Sequence, residues 1–100
     1  MNVQIAIDTE QIGAFCRRWK VKELCLFGSV LRDDFGSGSD VDVLVDLIAG
    51  HGLTLYDWID MIEELETLLG RRVDLVAKSA IRNPLRRREI LRTAEVLYAA

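Results

Sequence analysis

The chain has 100 residues, with 13 basic and 16 acidic side chains, one His and a net charge of −3. Half of it is hydrophobic, which is too much for a disordered chain and enough for a core. The longest stretch without a charge runs only from Leu47 to Tyr56, so a membrane-spanning helix of ~20 apolar residues is excluded.

In chain order, Asp8 or Thr9 can cap a first helix whose buried stripe is Ile12, Phe15, Cys16 and Trp19. Glu23–Phe27 reads as a buried strand ending at Gly28, and Ser29–Asp34 as a short helix. Phe35–Ser39 is a glycine-rich loop, and Asp40–Leu47 a second, Val-rich strand. Thr54 caps a long helix with Leu55, Trp58, Ile59, Ile62, Leu65 and Leu69 on one face, and Gly70 ends it. A third strand follows over Arg72–Ala77, a helix starts at Pro84 and reaches about Thr93, and Glu95–Tyr98 forms a last strand. This order predicts an α/β or α+β fold: one mixed sheet of about four strands flanked by helices, in a single domain over residues 1–100.

Charge and cysteines add context. Met1–Gly70 carries 5 basic and 13 acidic residues, whereas Arg71–Arg92 carries 8 and 2. That asymmetry allows a metal at one end and an anionic partner at the other, or merely two solvated faces. The first residues lack the basic region of a secretory signal. Cys16 and Cys25 at core positions suggest free thiols in a reducing cytoplasm. One His and two Cys cannot make a common structural zinc site.

The chemistry concentrates between Gly28 and Asp42. Residues i and i+2 of a strand share a face, so Asp40 and Asp42 stand side by side, ~6.5–7 Å apart at Cα. Like charges this close need water or a counter-ion, and hard oxygen ligands suit Mg²⁺. Val41, Val43 and Val45 bury the opposite face, and Leu44 continues the acid face as apolar. Asp46, on the same parity but nearer the strand end, is expected to face solvent. After the first strand, Gly28-Ser29 turns backbone N–H groups and a hydroxyl toward an anion, and the glycine leaves room for a phosphate. An Asp-x-Asp pair alone is usually a solvated face, and Gly-Ser alone an ordinary turn. Together they are what nucleoside triphosphate chemistry requires.

The segment resembles the nucleotidyltransferase superfamily of DNA polymerase β, in its small prokaryotic branch, the minimal nucleotidyltransferases. The family pattern of Gly-Ser, ten residues and Asp-x-Asp is met by Gly28-Ser29, Val30–Ser39 and Asp40-Val41-Asp42. Arg32 and Ser39 sit where the family often has Arg and Ser, Asp33 replaces a frequent Gly, and Asp74 matches a third carboxylate on a later strand. By position the resemblance implies that Gly28 and Ser29 hold the β and γ phosphates of ATP, with Arg32 and Ser39 also at the nucleotide. It implies that Asp40 and Asp42 bind two Mg²⁺ ions, and that Asp74 completes the metal that activates the attacking hydroxyl. For Asp74 the plain alternative is a strand-edge acid paired with Arg71 or Arg72; for Arg32 it is a salt bridge to Asp33 or Asp34.

The resemblance also implies a partner. Larger members carry an acceptor-binding domain for which this chain has no residues to spare. Chains this small are commonly paired with a helical RNase toxin of the HEPN class (higher eukaryotes and prokaryotes nucleotide-binding). The implied function is an antitoxin that transfers AMP from ATP to a tyrosine hydroxyl of that toxin. Two alternatives stay open: an antitoxin that only binds and occludes its toxin, and a catalytic subunit acting on a small molecule such as an aminoglycoside. The cluster Arg82, Arg86, Arg87, Arg88 and Arg92 suits RNA, an acidic protein or water, but the acidic chain as a whole does not favour direct nucleic-acid binding. His51 is expected to be a loop residue, and Trp19 and Trp58 to belong to the core.

Overall fold

A computed structural model describes residues 5–31, 36 and 38–100. The expected short helix and loop therefore lie partly outside the described residues, as does Arg32. The elements are α1 (Thr9–Arg18), β1 (Val21–Phe27), β2 (Val41–Leu47), α2 (Leu55–Leu69), β3 (Val73–Ala77), α3 (Pro84–Thr93) and β4 (Glu95–Ala99). One 3₁₀ turn, Gly28–Leu31, follows β1, and another, Lys78–Ala80, follows β3.

Local chemistry sets the helix ends. Asp8, not Thr9, caps α1, its Oδ1 accepting from the backbone N–H groups of Glu10 (3.1 Å) and Gln11 (3.2 Å). Thr54 and Asp57 form a reciprocal capping box at α2, and Gly70 closes that helix in the left-handed region at φ 67°. Asn83 caps α3, with Pro84 in the first turn where its missing N–H costs nothing.

The four strands form one mixed sheet in the order β3-β2-β1-β4. β1 pairs antiparallel with β2 and with β4, while β2 and β3, joined through α2, are parallel. Strand alternation sends side chains to two separate layers. On one side Leu24, Leu26, Val41, Val43 and Val45 pack with Ile12 and Phe15 of α1 and Met61 and Leu65 of α2. On the other side Cys25, Phe27 and Leu44 meet Ile81 and Ile90, the one buried residue of α3.

Several details differ from the sequence reading, among them the start of β1, at Val21 and not Glu23. α2 is rotated: Leu55 and Ile59 are exposed (74% and 47%), and Met61 takes the core position between Trp58 and Leu65. β2 starts at Val41, whose N–H donates to the Arg72 carbonyl (2.8 Å), so Asp40 precedes the strand. Asp46 is half-buried opposite Glu23 rather than facing open solvent. Trp19 and Trp58 pack against the core as expected.

Candidate active site

The sheet assembles the acidic side chains from below. Asp42 lies near the start of β2, and its register partner in the parallel neighbour is Asp74 of β3. On its other side Asp42 pairs with Phe27, the last residue of β1, so the Gly28 turn begins directly beside it. Asp42 is half-buried, whereas Asp40 and Asp74 are exposed. Elsewhere in the fold Arg18 pairs with Glu64 (2.8 Å) and Arg92 with Glu89 (2.8 Å).

Gly28 is required twice over. Its φ is +76°, where an L side chain is strained, and a Cβ there would lie 3.1 Å from Asp42 Cγ and overlap Oδ2. The Gly-Ser turn and the Asp-x-Asp strand are therefore in direct contact. Ser29 is half-buried in the 3₁₀ turn that Gly28 opens.

The loop before β2 is held by Arg71, which the sequence offered only as a possible partner of Asp74. Nη2 of Arg71 donates to the carbonyls of Gly36 and Ser39 (3.0 Å for Ser39). Ser39 also accepts from the Gly36 N–H at Oγ (3.2 Å) and donates its own N–H to the Gly36 carbonyl (3.1 Å). Its hydroxyl thus serves the loop in this structure. Glu66, at the end of α2, accepts from the Val73 N–H (3.0 Å) and fixes the start of β3. The only hint of this scaffold was the basic pair Arg71-Arg72 just before a strand.

The donor set is all carboxylate, which is the hard-oxygen chemistry of Mg²⁺. Among the described residues no three His, Cys, Asp or Glu side chains are gathered closely enough to form a metal cluster. Asp42 and Asp74 are placed together by strand pairing, while Asp40 stands outside the strand on the Arg71-clamped loop.

The remaining candidates scatter. His51 is a loop residue: its Nδ1 accepts from the Leu53 N–H (2.9 Å), and its carbonyl accepts from Lys20. Arg82 precedes α3, Arg87 donates to the Lys78 carbonyl (3.3 Å), and Arg92 grips both Glu89 oxygens (2.8 and 2.9 Å). Arg86 and Arg88 are exposed on α3.

The Gly28-Ser29 turn and the paired acids Asp42 and Asp74 thus lie together at one end of the sheet. The nucleotidyltransferase-domain family matches residues 9–97. The chain belongs to that family, in its minimal nucleotidyltransferase branch, and is a nucleotidyltransferase. It is 42% identical over 81 residues to the protein adenylyltransferase MntA of Thermococcus cleftensis, covering 81% of this chain and 77% of that one. A solved structure described as a presumed minimal nucleotidyltransferase superposes with a TM-score of 0.72 at 36% identity, over 87% of this chain and 86% of that one. Two complexes share the fold at 20% identity. One is a toxin–antitoxin with AMP-PNP (TM-score 0.72; 94% of this chain, 75% of that one). The other is a tri-AMPylated Shewanella oneidensis HEPN toxin with its MNT antitoxin (TM-score 0.64; 92% and 70%). No described helix is long and apolar enough to cross a membrane.

Proposed function

We propose that this chain is the antitoxin of a HEPN-type toxin and transfers AMP from ATP to a tyrosine hydroxyl of that toxin. The observation that carries the reading is the register of Asp42 against Asp74 beside Gly28. The 42% identical adenylyltransferase supports the activity. The AMP-PNP complex and the AMPylated HEPN toxin complex support the nucleotide and the acceptor class.

Each residue has a role in this reading. Gly28 leaves the β and γ phosphates room to approach the backbone, and Ser29 donates its hydroxyl to them; Arg32 and Ser39 help to seat the nucleotide. Asp40, Asp42 and Asp74 would hold two Mg²⁺ ions, which when bound supply Lewis acidity at the phosphate oxygens and at the attacking hydroxyl. Asp74 also stands by to take the proton. The phenolic oxygen forms a bond to the α phosphorus, the bond to the bridging oxygen breaks, and pyrophosphate leaves with its electron pair. The setting is the cytoplasm, where ATP and RNA targets meet.

The test is incubation of the chain with labelled ATP, Mg²⁺ and the HEPN-type protein encoded beside it. Label on the partner, lost in Asp40→Ala and Asp42→Ala, is expected. An unlabelled partner that both variants still neutralise would overturn the reading. A second reading, neutralisation by occlusion, is favoured by one observation: Leu85 (77% exposed) and Leu91 (39%) sit among the arginines of α3. Stoichiometry separates the two, since a catalyst silences many toxin molecules and an occluder only one each.

A further inference from the structure

α2 and α3 each turn an outer face to solvent, and the two faces carry opposite charge. On α2, Leu55, Tyr56 (81% exposed) and Ile59 stand with Asp60 and Glu63. At about 100° per residue these five share one side of the helix, away from the buried Met61 and Leu65. On α3, Leu85 and Leu91 stand with Arg88 and Arg92, opposite Ile90, the helix's one buried residue. Clustered exposed apolar side chains rimmed by charge mark an interaction surface, whereas scattered ones do not. Among the described residues Arg88, Asp60 and Glu63 enter no ion pair.

Charge selects the occupant. A two-fold contact of α2 on α2 would bring Asp60 and Glu63 of both copies together, and α3 on α3 would oppose arginines, so both are repulsive. α3 on α2 instead sets Arg88 and Arg92 against Asp60 and Glu63, and Leu85 and Leu91 against Leu55, Tyr56 and Ile59. α2 covers one face of the sheet and α3 the other, so a chain cannot make this contact with itself. A second copy carries the complementary surface.

We infer that the chain associates head to tail, with α3 of one copy on α2 of the next. Such a contact leaves a free face at each end and therefore repeats, into short oligomers or a closed ring. Two single helix faces fall short of the ~1,200 Å² of a standard stable interface, so the association is weak, with a Kd on the order of tens of micromolar. It uses none of the residues of the candidate active site.

The experiment is sedimentation velocity of the intact chain from about 10 to 500 µM, in about 50 mM and about 500 mM salt. Wild type is compared with Arg88→Glu, Asp60→Arg and an equimolar mixture of the two variants. Both substitutions lie at exposed helix positions and introduce good helix formers, and unfolding midpoints check each fold. The wild-type mass should rise with concentration at low salt and return toward the monomer at high salt. Each variant alone should stay monomeric, and mixing should restore association, because every contact in the mixture can again pair opposite charges. A wild type that is monomeric at every concentration would overturn the proposal. Association that either variant leaves unchanged would also overturn it, because the contact would then use another face. So would a mixture that stays monomeric. If a monomeric wild type binds the HEPN-type protein and Arg88→Glu weakens that binding, the α3 face belongs to that partner instead.

Discussion

Gly28 and Asp42 are in such close contact that the turn after β1 has no room for a side chain over the Asp42 carboxylate. This contact couples the Gly-Ser turn to the strand that carries Asp42. Gly70 has a similar φ (67° against 76°), yet nothing lies within 4 Å of a Cβ there. The two glycines thus separate backbone strain from site damage. Gly70→Ala should cost roughly 1 kcal/mol of stability and leave AMP transfer intact. Gly28→Ala should cost a similar amount or more and also lower transfer at least about tenfold by displacing the Asp42 carboxylate. Denaturant midpoints and transfer rates for the pair check this, and equal activity in the two variants would count against it.

Arg71 ties the Gly36 and Ser39 carbonyls together and so sets where Asp40 begins. Arg71→Lys cannot reproduce a planar donor reaching two carbonyls. Transfer should fall roughly tenfold through misplacement of Asp40, while the unfolding midpoint changes little, since the contacts are exposed or half-buried. A rate equal to wild type would remove Arg71 from the positioning role.

Thr54 gives a test of folding without function. The capping box at α2 lies in the chain just after the β2 turn, away from the carboxylates. Thr54→Ala should destabilise by about 1 kcal/mol, with the transfer rate unchanged under folding conditions. Thermal unfolding and a rate measured well below the midpoint decide the matter.

Burial pushes the Cys16 thiol up from its ordinary 9.0 to about 12. Burial, and then the Glu23 carboxylate, push Cys25 up to about 11. The folded state holds both protons more tightly than the unfolded chain. Its advantage is complete below pH 9 and is lost as pH rises toward 11 and 12. The denaturant midpoint should therefore fall between pH 8 and pH 10.5, and less steeply in Cys25→Ala. Identical slopes would contradict the assigned cause.

Much of the molecule could be read from residue order, for physical reasons that differ between elements. The caps Asp8, Thr54 and Gly70 mark helix ends through their own local bonds, and Pro84 through its fixed φ at the first helical position, so those boundaries came out within a residue. The alternation of Val41, Val43 and Val45 against Asp42 showed which face of β2 meets the α1–α2 core, whereas burial of Leu44 on the other face depends on Ile81 and Ile90. Strand pairing is not local: that Asp74 falls opposite Asp42, not one residue away, depends on how α2 returns the chain. Periodicity misplaced α2 by part of a turn, because Leu55 and Ile59 continue the apolar spacing yet point off the sheet, and Met61 fills the core. The Arg71 clamp arises from contacts between distant segments and left almost no trace in the spacing of residues.

The central claim is that the Asp42–Asp74 pair performs nucleotidyl transfer to a protein. Its most direct measurement is the initial rate at which ATP labelled at the α phosphate marks the HEPN-type partner, compared between wild type, Asp42→Asn and Asp74→Asn. These variants keep the shape of each side chain and remove its charge. The wild type should label many partner molecules per chain, and each variant should be slower by at least about a hundredfold while remaining folded. Label accumulating equally fast in the variants, or no label with the wild type, would contradict the account.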